Sequence, residues 1–283
     1  MTNKDSIAAR ERRTAQAQRF NLLSNVFMSV ALQEPAACQY VLRTLTGIAD
    51  LTVRQVRTQY RISKLVSHDA VLDILAQDGA GRMYNVEIQR ADTVDHARRL
   101  RFYGAMIDSE YLEKGADYAQ MPEVYLIYIS ETDLWREGRA SYWLDKGLRG
   151  SKAPYDDGQH TLYVNAAAQD GSAAAALMQY FKTADPEDRR YGALSERVHY
   201  LKCEEGGKRE MCEISEQIFM EGKVEGRAEG RMEGKAEGRE EGREEGILCI
   251  LHGLIQNANM TVDEALRLAG LSEQERERLA GKL

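Results

Sequence analysis

The amino-acid sequence predicts an α/β domain over residues 14–200 that is followed by an all-α C-terminal tail. Short apolar runs rich in β-branched and aromatic residues alternate with stretches whose apolar residues recur at helical spacing. This alternation is typical of a compact α/β domain. Residues 204–246 consist mostly of Glu, Gly, Lys and Arg, a composition that cannot build a hydrophobic core.

The domain is predicted to begin with helices and one strand. Apolar residues recur at helical spacing from Thr14 to Leu45, where Pro35 suits the start of a helix and Gly47 suits its end. The segment Leu51–Ile62 is rich in β-branched residues with arginines interleaved, which favours a strand.

A β-hairpin and a long helix are predicted next. The apolar segment Ala70–Ala76 and the strand-like segment Met83–Gln89 flank a turn at residues 78–81. A helix is predicted from Thr93 to Lys114, with Thr93 as its N-cap. Two further strands and two further helices are predicted, in chain order, at Val124–Ile129, Gln159–Asn165, Ser172–Lys182 and Ser195–Leu201.

Asp73 interrupts the apolar first strand of the hairpin. A buried carboxylate without a partner is strongly destabilising, so it must meet a cation, hydrogen-bond donors or a metal ion. Glu87 and Gln89 share one face of the second strand, because side chains alternate along a strand. A turn of residues 79–81 or of residues 78–82 places Asp73 opposite Glu87.

Two carboxylates at facing positions repel each other unless a cation lies between them. Oxygen ligands suit Mg²⁺ or Mn²⁺, with the main-chain carbonyl of Ile88, water and a phosphate completing the coordination. In the alternative interpretation, Asp73 pairs with an arginine of a neighbouring element and Glu87 faces solvent.

These residues resemble the signature of the PD-(D/E)XK nuclease superfamily, which is an Asp in a short strand, a turn, and Glu-x-Lys in the next strand. The version with Glu-x-Gln resembles the branch called PD-(D/E)XK nuclease family transposases, or recombination-promoting nucleases. The resemblance covers residues 18–220. The supporting stretches are Asn21–Phe27, His68–Asp73, Tyr84–Ala91, Arg98–Tyr103 and Tyr118–Val124.

The resemblance implies a restriction-endonuclease-like core, a mixed central sheet flanked by helices, and metal-dependent hydrolysis of phosphodiester bonds in DNA. It implies that Asp73 and Glu87 hold the metal. Gln89 stands where the superfamily usually has Lys, and a neutral amide can orient a water molecule but adds no positive charge. Many members also have an acidic residue on the first helix, where this sequence has Asn25, with Glu34 farther on.

A group of basic residues follows the motif and predicts contact with the DNA backbone. Arg98 and Arg101 are neighbours on a helix surface and form a basic ridge. Together with Arg90, Arg99 and Tyr103, they place positive charge and a donor beside the carboxylates, as phosphate binding requires. The alternative is a solvated helix face on which arginines pair with aspartates.

The tail contains a repeat of Glu-Gly-Lys/Arg-x from Glu221 to Gly246. Its glycines disfavour an isolated helix, but a glycine column permits close approach of a second helix. We predict that residues 201–246 form a conditional helix that supports a homo-oligomer, with a solvated spacer as the alternative. A short helical module is predicted over residues 247–283, where Thr261 caps one helix.

Charge and composition narrow the compartment and the function. No apolar run reaches the length of a membrane span, no signal-peptide pattern is seen at the N-terminus, and the four cysteines are scattered, so we expect a cytoplasmic protein without a membrane partner. The net charge of −7 argues against a DNA partner. However, residues 1–130 are nearly neutral, and the acidic excess lies beyond them.

The sequence therefore predicts one function and leaves two alternatives. The first, which is the prediction, is a metal-dependent DNA endonuclease associated with mobile elements or recombination. The second is a degenerate nuclease that binds DNA without cutting it, which the neutral Gln89 and Asn25 favour. The third is a non-enzymatic assembly protein driven by the helical tail.

Overall fold

The computed structural model describes residues 20–63, 69–89, 95–258 and 260–283. The chain divides into two compact units, Met1–Ile218 and Phe219–Leu283. The predicted division at residues 200 and 246 stays a prediction. The start of the helical pattern at Thr14 lies outside the described residues.

The first unit is built on a mixed six-stranded sheet with the strand order β1-β2-β3-β4-β6-β5. Strand β2 pairs antiparallel with β1 and with β3, β4 pairs parallel with β3 and with β6, and β5 is an edge strand antiparallel to β6. The strands are β1 Val53–Ile62, β2 Ala70–Asp78, β3 Met83–Gln89, β4 Val124–Ser130, β5 Ser141–Leu144 and β6 Gln159–Asn165.

Within the described residues, five α-helices flank this sheet, and a 3₁₀ turn precedes β4. They are α1 Asn25–Leu32, α2 Pro35–Thr46, α3 His96–Tyr111, α4 Ala173–Thr183 and α5 Ala193–Cys203. Gly47 ends α2 with a φ of 74°, a left-handed conformation that glycine adopts readily. The predicted mixed sheet flanked by helices, a restriction-endonuclease-like α/β core, is confirmed.

The two faces of the sheet carry separate hydrophobic cores. On one face, helices α1, α2, α4 and α5 pack against strand residues that include Val86 and Ile88. On the other face, Leu100 and Ile107 of α3 pack in the cluster that contains Met83. Because alternate residues of β3 face opposite cores, Glu87 and Gln89 lie on the α3 side of the sheet, as Met83 does.

Two predicted boundaries differ from the structure. Helix α3 begins at His96 after Asp95 and ends at Tyr111, because Leu112 adopts an extended conformation; the expected cap Thr93 lies outside the described residues. Strand β5 was not expected, because a four-residue edge strand is too short to show an alternating pattern.

The C-terminal helices are α6 Glu205–Ala258, α7 Val262–Leu268 and α8 Glu273–Ala280. The Glu-Gly-Lys/Arg repeat lies within α6, and whether its helix depends on pairing stays a prediction. Thr261 begins α7 with a capping box, so the predicted cap is confirmed, and Ser272 begins α8 in the same way. None of the described helices combines the length and apolar character that crossing a bilayer requires.

Candidate active site

Asp73 and Glu87 face each other across the β2–β3 hairpin. The ladder pairs Ile74 with Val86, and one further step in this register places Asp73 opposite Glu87, as the turn length predicted. At that step each carboxylate accepts a hydrogen bond from a main-chain N–H of the facing strand, which a carbonyl oxygen accepts in a regular ladder. The Asp73 N–H donates to Glu87 Oε1 over 3.2 Å, and the Ile88 N–H donates to Asp73 Oδ2 over 3.1 Å.

Both carboxylates are buried, with 6% of Asp73 and 2% of Glu87 exposed. Burial raises the pKa of Asp73, while the Ile88 N–H, the Gln59 amide and the charge of Arg99 lower it. Burial and then the negative charge of Asp73 raise the pKa of Glu87 well above its usual value. A solvent-facing Glu87, the alternative interpretation, is therefore wrong.

Two carboxamides converge on the same oxygen of Asp73. Asn25 at the start of α1 donates from Nδ2 to Asp73 Oδ1 over 3.4 Å. Gln59 of β1 donates from Nε2 to the same oxygen over 3.2 Å and also to Ser29 Oγ over 3.2 Å. Asp73 is thus held by amide donors rather than by an arginine among the described hydrogen bonds and ion pairs.

Gln59 was not predicted as a site residue, and its backbone is unusual. The register of β1 with β2 pairs Thr58 with Ile74 and Tyr60 with Leu72, so Gln59 lies opposite Asp73. Its φ of 49° lies in the left-handed region, which residues other than glycine seldom adopt. The conformation allows the side chain to reach Asp73, and such local strain is typical of functional sites.

The alternation of β2 side chains between the two faces of the sheet is interrupted at Asp73. Leu72 packs in the α3-side core and Ile74 in the opposite core, although residues two apart in a regular strand face the same side. Gln59 of β1 lies opposite Asp73 of β2, so both strands depart from regular strand geometry at the same position. The candidate site is built at this irregularity.

Two groups predicted as ligands, the Gln89 amide for water and the Ile88 carbonyl for the metal, lie at the end of β3. Gln89 is the last residue of β3, is partly exposed, and pairs with Ser130 of β4. Its main-chain carbonyl accepts from the Glu131 N–H over 3.3 Å. The role of the Ile88 carbonyl as a metal ligand stays a prediction, and Glu34 is exposed before α2.

The basic residues of α3 separate into two faces. The charge of Arg99 lowers the pKa of both Asp73 and Glu87, so among the arginines that the structure describes Arg99 acts on both carboxylates. Arg98 and Arg101, which the sequence placed on a ridge, are exposed. Arg90 lies outside the described residues.

Tyr103 follows Arg99 by one helical turn and belongs to the same electrostatic environment. Burial, and then the negative charge of Glu87, raise the pKa of Tyr103 to about 12. Its hydroxyl therefore keeps its proton at neutral pH and can act as a hydrogen-bond donor.

Asn85 is a further polar residue of the site that the sequence did not indicate. It is fully buried on β3, two residues before Glu87, and neither of its amide atoms has a hydrogen-bond partner of good geometry. Its side chain lowers the pKa of Glu87, which places it beside that carboxyl group. A polar residue in an apolar-looking strand can be recognised only when its neighbours are known.

The mixed sheet flanked by helices, with two carboxylates on facing strands of its hairpin, is consistent with a restriction-endonuclease-like α/β core. Residues 42–147 match the family model described as PD-(D/E)XK nuclease family transposase, which confirms the resemblance over this segment. The matched segment contains Asp73, Glu87 and Gln89 together with α3, and it supports a nuclease associated with mobile elements. No curated protein and no solved structure matches the chain.

Proposed function

We propose that the protein is a divalent-metal-dependent DNA endonuclease that hydrolyses phosphodiester bonds in mobile-element transfer or recombination. The observation that carries the proposal is the buried pair of Asp73 and Glu87 on facing strands of one hairpin. The family match supports the reaction class.

The donor set fits a hard divalent cation. Two carboxylates at one buried site, each with a raised pKa, can both ionise only when positive charge compensates them. Arg99 supplies part of that charge through space. Oxygen-only ligands favour Mg²⁺ or Mn²⁺, and we propose Asp73, Glu87 and the Ile88 carbonyl as the protein ligands.

When bound, such a cation lowers the pKa of a coordinated water and neutralises charge on the scissile phosphate. The chain's own residues then divide the remaining work. Gln59 and Asn25 fix the orientation of Asp73 through their amide donors. Gln89, on the same face of β3 as Glu87, orients the attacking water through its amide.

Positive charge and a donor for the phosphate come from α3. Arg99 stabilises negative charge that develops at phosphorus, and the protonated Tyr103 hydroxyl donates to a phosphate oxygen. We propose that Arg90, Arg98 and Arg101 contact the DNA backbone without reading sequence. Such contacts weaken as the salt concentration rises.

The tail and the compartment complete the proposal. The columns of Glu and Lys/Arg in the repeat can pair between two helices, so we propose a homo-oligomer formed through residues 201–246. The four cysteines form no disulfide among the described residues, which suits the reducing cytoplasm.

A degenerate nuclease that binds DNA without cutting it is the second candidate. The observation that favours it is the pair of neutral amides: Gln89 stands where the resemblance places the Lys usual in the superfamily, and Asn25 stands where it places the acidic residue of the first helix. Asn25 contacts Asp73 directly, so an amide in place of an acid at this position changes the site itself.

Incubation with supercoiled plasmid, with and without Mg²⁺ or Mn²⁺, discriminates these functions. Nicking that requires the cation and is lost in both Asp73→Ala and Glu87→Ala supports the endonuclease. DNA binding without nicking supports the degenerate form, and the absence of both supports the assembly protein. If Gln89→Ala cuts as fast as the wild type, the water-orienting role of Gln89 is wrong.

A further inference from the structure

A second group of ligand-type side chains lies on α5 and on the loop that precedes it. His199 and Cys203 are one helical turn apart on α5, and Glu187 lies in the loop between α4 and α5. One ligand atom from each of the three side chains lies within 4.8 Å of the others. Within the part of the chain that the structure describes, no other three such groups converge in this way.

The surroundings of His199 fix its ring. Nδ1 lies 3.1 Å from the carbonyl oxygen of Pro186 and 3.8 Å from Glu187 Oε1. In the metal-free protein Nδ1–H donates to that carbonyl, because a carbonyl oxygen can only accept. The imidazole is therefore held in place by the loop that also supplies Glu187.

The donor types distinguish this group from the carboxylate pair. A thiolate, an imidazole nitrogen and a carboxylate oxygen are the ligands that Zn²⁺ uses in proteins, whereas Mg²⁺ prefers oxygen alone. We propose that Glu187, His199 and Cys203 bind one Zn²⁺-type ion, independently of the nuclease reaction. Binding releases the thiol proton of Cys203 to solvent, because the thiolate is the ligand.

The distances require only a small rearrangement. Around a tetrahedral ion with bonds of about 2.0–2.3 Å, neighbouring ligand atoms are about 3.3–3.8 Å apart. His199 Nδ1 and Glu187 Oε1 are 3.8 Å apart, at the upper end of this range. The three ligand atoms all lie within 4.8 Å of one another, and this limit exceeds the range by about an ångström. The exposed side chain of Glu187 can turn by this amount without disturbing the core.

The ion would strengthen an existing attachment of the loop to α5. Lys202 Nζ already donates to the carbonyl of Ala184 over 2.8 Å, and this bond is kept when the ion binds. The ion replaces the hydrogen bond from His199 Nδ1 to Pro186 with a link from His199 to Glu187, and the ring proton moves to Nε2. An ion that binds the folded protein and not the unfolded chain raises the thermal midpoint as its concentration increases.

Co²⁺ is the probe for the test, because a cobalt–thiolate bond gives an intense charge-transfer absorption that an oxygen-only site lacks. The full chain is titrated with Co²⁺ in excess Mg²⁺, which competes for the carboxylate pair. The expected absorption saturates at one ion per chain and disappears when Zn²⁺ is added. We expect His199→Ala to weaken binding by about tenfold or more.

The matched cysteine variants decide the assignment. Cys203→Ser should lose the absorption, while Cys249→Ser, which alters an exposed cysteine of α6, should keep it. The thermal midpoint of each variant without metal shows whether it is folded. Absence of the absorption in the folded wild type, its retention in Cys203→Ser, or its loss in a folded Cys249→Ser overturns the proposal.

Discussion

The main-chain N–H of Asp73 donates to Glu87 Oε1 across the hairpin, over 3.2 Å. It places two buried carboxylates in one site. The Ile88 N–H donates to Asp73 Oδ2 in return, so each strand donates a main-chain N–H to a carboxylate of the other. Hydrogen bonds alone leave the excess negative charge of the pair uncompensated, as the raised pKa of Glu87 indicates.

Replacing Glu87 by Gln should stabilise the metal-free protein at neutral pH. A carboxyl whose pKa is raised by folding stabilises the folded state below the unfolded pKa, near 4.3, and this contribution is lost as pH rises through the folded pKa. The urea midpoint of Glu87→Gln should therefore exceed that of the wild type at pH 7, and the difference should shrink towards pH 4. The exposed Glu113→Gln is the control, and an equal gain in that variant would contradict the explanation.

Two substitutions of Gln59 separate its backbone strain from its hydrogen bonds. Gly tolerates the φ of 49°, so Gln59→Gly should be more stable than Gln59→Ala by about 1 kcal/mol. Both variants lose the donor to Asp73 and should bind Mn²⁺ more weakly to a similar extent. Denaturant unfolding and calorimetric Mn²⁺ titration measure the two effects. Equal stabilities, or wild-type metal affinity in both variants, would refute this role.

Asn25→Asp should restore an acidic group on the first helix. The new carboxylate would lie beside Asp73 Oδ1, where the Asn25 amide now lies 3.4 Å away. Without metal it adds repulsion and lowers stability, and with metal it adds an oxygen ligand and tightens binding. Opposite changes in the metal-free thermal midpoint and in Mn²⁺ affinity are the expected result. A change of both quantities in the same direction would not fit the site.

Arg99 and Arg98 should behave differently although they are adjacent. Arg99 lowers the pKa of Asp73 and Glu87, so Arg99→Ala should move the pH dependence of Mn²⁺ binding to higher pH. Arg98→Ala should leave that profile unchanged, because Arg98 is exposed, and should reduce the salt dependence of DNA binding by about one unit of slope. The opposite assignment of the two effects would show that Arg98 faces the carboxylates.

The hairpin could be predicted in detail because strand alternation and turn length together fix the register of Asp73 and Glu87. Gln59 could not be predicted, since nothing in the sequence of β1 marks one glutamine for a left-handed conformation. The choice between Arg98 and Arg99 depends on how α3 rotates to bury Leu100 and Ile107, which is a tertiary property.

Asn25 shows the intermediate case. The resemblance placed it at the position of a first-helix acid, and the structure brings its amide to Asp73. This contact depends on where α1 begins and on how α1 packs against β1 and β2. Sequence motifs therefore identified the residues of the hairpin and the position of Asn25, whereas only the packed structure identified Gln59 and the contacts of both amides with Asp73.

The most direct test of the central claim is the rate at which folded Glu87→Gln nicks supercoiled plasmid, compared with the wild type at saturating Mn²⁺. The substitution keeps the size of the side chain and removes one ionisable ligand. We predict cation-dependent nicking by the wild type and at least a hundredfold lower rate, on the order seen when a transition-state interaction is lost, in Glu87→Gln. Equal nicking by both proteins would contradict the claim that Asp73 and Glu87 hold the catalytic cation.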